Sequence, residues 1–141
     1  MKTLLTIEMI PKSAWGNNVR TSVPPSVWDT LRHAQYRKAD LHCEICGAGG
    51  RLECHEIWEY SEEGHVQKLI GLIALCPSCH SVKHFGRTCT FGAEAKMNAI
   101  QHLMEVNDWT AEQVQSHIEE SLRVWQERSK HVWKLDISFI A

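Results

Sequence analysis

Two C-x-x-C pairs, Cys43 with Cys46 and Cys76 with Cys79, constrain this chain more than any other feature. Each pair sets two thiols on one tight turn. Two such turns, separated by an insert the length of a hairpin, can close a single tetrahedral four-thiolate zinc site. A disulfide reading is disfavoured where thiols stay reduced, and a redox C-x-x-C does not explain why there are two. Four thiolates saturate the ion, so the site is structural and leaves no coordination position for catalysis.

The second pair sits in "LCPSCHSVKHFG", which also carries His80 and His84. The zinc does not need them. On a helix, a spacing of four puts both imidazoles on one face, where they can hold a second ion; alone, such a pair reads by default as two surface histidines. His55 in "LECHEIWEY" adds weight. Residues 52–60 have the character of a strand, "SEEG" of a turn and residues 65–75 of a second strand; Pro77 suits the first turn of a helix that Gly86 ends. This order of strand, strand, helix brings His55 back over the helix histidines. A strand histidine facing a helix-held metal suits a general base that takes a proton from water while the metal stabilises charge on a phosphate.

The flanking segments complete an α+β reading. "TLLTIEM" alternates Leu5, Ile7 and Met9 with polar residues, which predicts a half-buried strand closed by Pro11. "VPPSVWDTLRHAQYRKAD" predicts a helix with Ser26 as N-cap, Asp29 three residues on, and an apolar face of Val27, Leu31 and Ala34. Further on, Met97, Ile100 and Met104 form one helical stripe. "TAEQ" reads as a capping box opening a helix whose Val114, Ile118, Leu122 and Trp125 share a face. "WKLDISFI" alternates Trp133, Leu135, Ile137 and Phe139, a closing strand expected to pair with the N-terminal one. Of the other tryptophans, Trp109 reads as structural with Trp125 and Trp133, while Trp15, Trp28 and Trp58 are open to stacking. The expected organisation is one domain over residues 1–141, with a core at 43–86 and a helical extension and closing strand at 92–141.

Net charge is −2, which excludes binding to nucleic acid by sheer basicity. The total hides a gradient: residues 1–42 hold six Lys/Arg against three Asp/Glu, and residues 92–141 five against eight. A polyanion is therefore expected at the N-terminal side, through Lys12, Arg20, Arg32, Arg37 and Lys38, which equally read as solvated surface charges. The apolar stretch of "MKTLLTIEMIP" is broken by Thr6 and Glu8, unlike a signal peptide, and no window approaches the roughly 18 apolar residues of a membrane span. A cytoplasmic protein is expected.

The run C-x-x-C, "ECHE" and "LIALCPSCHSVKH" resembles the HNH endonucleases, over residues 43–86. The resemblance implies a ββα-metal core stapled by a four-cysteine zinc, an N-terminal helix, a C-terminal helical pair and short terminal strands. It implies a nuclease that hydrolyses phosphodiester bonds of DNA, expected double-stranded, with His55 as catalytic base and His80 and His84 holding the catalytic divalent ion. Two positions differ from the family pattern. The slot before the base, usually His or Asp, is Cys54, and the central Asn is Gly71. Three arrangements follow: Cys54 ligates, Glu56 substitutes for it, or the register slips so that His55 ligates and Glu56 is the base. Magnesium, manganese, nickel and zinc all stand as candidates for that ion, histidine favouring the transition metals. A double-strand cut by one site per chain would call for a homodimer. The rival readings are an HNH-like zinc module that binds nucleic acid without cutting it, and a zinc-stabilised protein interaction domain, which the acidic last third favours.

Overall fold

The computed structural model describes residues 4–140. Two strands, β1 (Glu53–Ser61) and β2 (Val66–Leu75), form an antiparallel hairpin that runs in register from Glu53 opposite Leu75 to Ser61 opposite Val66, with a bulge between Ile57 and Trp58. His65, expected to open the second strand, instead belongs to the turn, where its φ of 52° suits the tight reversal. A short third strand, β3 (Lys134–Asp136), lies parallel to β2 beside Val66 to Lys68, giving the sheet order β1-β2-β3.

Among the described residues six α-helices complete the fold: α1 (Val19–Ser22), α2 (Pro25–Lys38), α3 (Pro77–Lys83), α4 (Phe85–Cys89), α5 (Ala93–Asn107) and α6 (Ala111–Arg128). None is long and apolar enough to cross a membrane. The main core joins Leu5 and Ile7 to Leu75, Val82, Phe85, Leu103 and Val114, where α3 packs on α5. A second cluster of Val19, Trp28 and Leu69 fastens α1 and α2 to the sheet.

The N-terminal segment buries Leu5 and Ile7 as its alternation predicts, but it is not a strand. Its backbone bonds to helices instead. Leu5 N–H donates to Asn107 Oδ1 and Asn107 Nδ2 donates back to Leu5 O, both at 2.8 Å, while Ile7 N–H reaches His117 Nε2 at 2.9 Å and Glu8 N–H reaches Lys83 O at 3.0 Å. Alternation reports which side chains face the core; it does not report what satisfies the backbone. The closing segment consequently has no N-terminal strand to join. β3 pairs with β2, and residues Ser138–Ile140 tighten into a 3-10 turn.

Asn107 thus takes the place of a missing sheet neighbour. Asn107→Ala is expected to destabilise the chain by about 1–3 kcal/mol, because two partly buried backbone groups lose their partners together. A denaturant midpoint unchanged from wild type would contradict this.

Helix ends differ from expectation in two places. Pro25, not a Ser26 cap, opens α2 at the position where its missing N–H costs nothing, and Trp28 is the buried residue while Val27 and Ala34 are exposed. Gly86 does not end α3. The break falls at His84, and Gly86 lies inside α4. On α5 the buried residues are Ala99, Leu103 and Val106, with Met97 exposed. The capping box of α6 forms as read, Thr110 and Gln113 exchanging side-chain and backbone bonds at 2.8 and 3.2 Å.

Candidate metal centres

Cys43 and Cys46 lie on the turn between α2 and β1. Gly47, at φ 80°, lets the chain fold back so that its N–H reaches Cys43 O at 2.9 Å. Cys76 caps α3 and Cys79 lies in its first turn. In each pair the second cysteine's N–H points at the first sulfur, Cys46 N to Cys43 Sγ at 3.5 Å and Cys79 N to Cys76 Sγ at 3.4 Å. All four sulfurs lie within 4.8 Å of one another, and Cys43, Cys76 and Cys79 are buried.

The chemistry of this group fits zinc. Cys46 Sγ and Cys76 Sγ stand 3.5 Å apart, far beyond a bonded disulfide and close to the separation of about 3.8 Å that a tetrahedron with zinc–sulfur bonds of roughly 2.3 Å requires. Burial pushes the Cys79 thiol up, and the neighbouring sulfurs push it further; burial also raises Cys76. Burial works the same way on Cys43, but backbone N–H groups win there and bring it down to about 7. Four clustered thiols cannot all ionise without a cation among them, and a divalent metal supplies it. His102 Nε2, 3.1 Å from Cys79 Sγ, adds a contact from α5 that the spacing of the cysteines does not suggest.

The second group is His55, His80 and His84, whose ring nitrogens also fall within 4.8 Å of one another. β1 carries His55, 3% exposed; α3 carries His80 and ends on His84. The helix break does not separate the pair, since His84 N–H still donates to His80 O at 3.1 Å. Ring centroids stand 4.7 to 5.5 Å apart, edge to face. Burial lowers the His80 imidazole despite its Glu53 partner. It takes His84 down to about 3, with His55 and His80 as further unfavourable neighbours. Both are held neutral, the form that binds metal.

Carboxylates hold two of these rings from behind. His55 Nε2 meets Glu8 Oε2 at 2.8 Å, and His80 Nδ1 meets Glu53 Oε1 at 2.8 Å. That leaves His55 Nδ1 and His80 Nε2 as the nitrogens without a carboxylate, the usual arrangement behind metal-binding or base histidines. Glu8 is itself fixed by Lys83, whose Nζ lies 3.0 Å from Glu8 Oε1 and 3.0 Å from Thr6 Oγ1. Burial alone would raise the Glu8 carboxyl, yet the His55 hydrogen bond and the Lys83 ammonium hold it at about 2. Three imidazoles suit a transition metal better than magnesium.

Cys54 does not join this group. It borders the Val19, Trp28 and Leu69 cluster, and burial, then Glu56 and Glu44, push its thiol up to about 12. Glu56 is occupied elsewhere, accepting from Val19 N–H at 3.3 Å, so it leads into α1 rather than toward the histidines. Gly71 sits opposite Ile57, where a side chain would meet Ile57 Cδ1.

An open cleft of about 570 Å³ runs past His80 and His84 and is lined by four arginines, Arg20, Arg32, Arg51 and Arg87. The charge gradient pointed to Arg20 and Arg32, the latter paired with Asp29 at 2.9 Å. Lys12 lies instead over the Trp125 ring at 5.2 Å, and Arg37 and Lys38 stand exposed at the end of α2, outside the cleft lining. Arg51, Arg87, Glu8 and Glu53 were not picked out by spacing; only their position in the fold reveals them. Comparisons with protein-family models, with curated proteins and with solved structures returned no match to this chain.

Proposed function

We propose that the chain is a metal-dependent endonuclease of the HNH kind, acting on double-stranded DNA, with a ββα-metal core built from β1, β2 and α3. The observation that carries this reading is the group of three histidines set beside a cleft lined by four arginines. Imidazoles alone would suit many metal sites; arginines in the adjoining cleft suit a phosphodiester, Arg20 and Arg87 above all, since Arg32 and Arg51 pair with Asp29 and Glu53 at 2.9 and 3.0 Å.

In this mechanism His80 and His84 hold the divalent ion, which when bound supplies Lewis-acid stabilisation of charge on the scissile phosphate. Arg20 and Arg87, which flank the histidines in the cleft, engage phosphate oxygens and set the strand in place. His55 Nδ1 takes the proton of the attacking water, because Nε2 is already committed to Glu8; the water oxygen bonds to phosphorus as the bond from phosphorus to one sugar oxygen breaks, and that oxygen leaves and takes a proton from solvent. The Glu8 carboxylate, ionised and anchored by Lys83, then stabilises the imidazolium and keeps the ring from turning. Glu8 thereby orients the base, the task that falls to the family's Asn where this chain has Gly71.

The test is nicking of supercoiled plasmid with magnesium, manganese, nickel or zinc added singly. Ion-dependent nicking is expected, and His55→Ala should lower its rate by roughly 10²- to 10⁴-fold, the usual contribution of a positioned base. Plasmid left intact by every ion would sink the nuclease reading. If such plasmid is nonetheless retarded in a gel, the zinc module that binds without cutting takes its place.

A further inference from the structure

A second hollow, of about 290 Å³, lies between the N-terminal segment and the sheet and shares His80, His84 and Arg87 with the arginine-lined cleft. Two of its lining residues are out of place by ordinary rules. Gln67 on β2 is 1% exposed, and among the described residues neither its Nε2 nor its Oε1 finds a hydrogen-bond partner. Buried amides are nearly always paired, and an aliphatic side chain would serve the sheet better at this position, as Leu69 does two residues on. Trp15 is the converse case, a large aromatic that is 61% exposed.

Trp15 is nevertheless held. Its Nε1 donates to Ile10 O at 2.8 Å, Trp125 Nε1 donates to the same carbonyl at 2.9 Å, and the two rings lie 20° from parallel with centroids 6.4 Å apart. An exposed ring locked in this way is a preformed stacking surface. The same hollow is lined by an amide whose donor nitrogen and acceptor oxygen are both unused, and by Arg87 and the histidines.

We propose that this hollow is a nucleobase subsite: the base adjoining the phosphate at the histidines stacks on Trp15 and presents its edge to Gln67. The assignment rests on the nuclease reading above. It adds what that reading lacks, a determinant of base choice. Stacking accepts any base, whereas an amide that donates and accepts side by side reads an edge: unpaired adenine offers a matching pair on both its Watson–Crick edge (N6–H, N1) and its Hoogsteen edge (N6–H, N7), while the other bases offer one on the Watson–Crick edge alone, so adenine is the base favoured.

The experiment uses the full chain carrying His55→Ala, so that bound strands stay intact, and single-stranded oligonucleotides, which need no unpairing to offer a base. An abasic sugar is walked along the strand, and the four bases are compared at any position that responds. One position should respond, its abasic sugar weakening binding roughly 5- to 150-fold. Adenine there should be preferred over the other bases by a similar factor of roughly 5- to 150-fold. Added Trp15→Ala should erase the abasic penalty. Added Gln67→Leu should keep that penalty and level the four bases, with Tm unchanged or raised, because an unpaired buried amide has been removed. Persistence of the adenine preference in Gln67→Leu would show that another group reads the base, and a lowered Tm that the amide has a structural partner; either overturns the assignment. Uniform binding at every position, or binding of duplex but of no single strand, overturns the subsite alone; no binding of either single-stranded or duplex oligonucleotide overturns the nuclease reading with it.

Discussion

Replacing Cys46 by serine is expected to cost the chain both the zinc that its four clustered cysteines are suited to hold and its fold. Cys46 joins the turn after α2 to the start of α3, its sulfur 3.5 Å from that of Cys76. Cys43, Cys76 and Cys79 are themselves members of the main core with Leu75 and Val82. Binding of structural zinc contributes about 10–16 kcal/mol in zinc-finger peptides, as much as or more than the roughly 5–15 kcal/mol by which a domain of ordinary stability is folded. A weakened site therefore has little else to fall back on. The loss should also be steep: without the ion, burial holds Cys76 and Cys79 protonated, and the four sulfurs become a poorly matched lump in the core. Zinc content per chain and a thermal unfolding curve are the measurements, with Cys54→Ser and Cys89→Ser as controls, since neither thiol belongs to the group. Full zinc content with a native Tm in Cys46→Ser would refute the assignment.

What could be read from the sequence divides along physical lines. Local chemistry was legible: the four cysteines, the hairpin, whose turn is displaced by one residue, Pro77 at the start of α3 and the capping box of α6 all occur where spacing and residue type place them. Each is fixed within a few residues, so the signal stays inside a short window. The N-terminal segment shows where this stops. Its alternation gave the burial of Leu5 and Ile7, but the partners of its backbone are Asn107 and His117, about a hundred positions away, and no pattern inside "TLLTIEM" encodes them. Glu8 is the same case at the candidate site. It looks like the polar half of an alternating strand, and its link to His55 forms only in the folded chain, where Glu8 N–H bonds to Lys83 O and Lys83 Nζ to Glu8 Oε1. Arg51 and Arg87 lie among zinc-site and helix residues, and they become one charged wall with Arg20 only when the hairpin folds onto α3. The histidines themselves were legible because two share a helical turn. The helix break between Lys83 and Phe85 moved Gly86 but not His84.

Loss of His80 should have an effect opposite in kind to loss of Cys46. His80 Nε2 has no role in the four-sulfur group, and the His80 side chain is partly exposed, so His80→Ala is expected to change stability by no more than about 1–2 kcal/mol. An ion held at the histidines, as proposed, should leave nonetheless. Disturbing a residue that merely supports a ligand weakens metal affinity by roughly 10- to 100-fold, which is the expected size of effect for Glu53→Gln, whose carboxylate holds His80 Nδ1 at 2.8 Å. Removing the ligand itself should exceed that. Metal analysis after dialysis against manganese or nickel, combined with a Tm measurement, separates the two centres without any assay of activity: wild type should keep zinc and one further ion, Glu53→Gln should need more of the second ion to fill, and His80→Ala should keep zinc alone. The order matters because the two centres are joined through α3, with Cys79 and His80 consecutive on the same turn. If His80→Ala also released the zinc and unfolded the chain, the histidines and cysteines would form one structural centre, and a reaction site beside a rigid clamp could not be maintained. If it kept both metals, His55 and His84 would be sufficient as ligands, and His80 would belong with the arginines as a residue of the cleft wall.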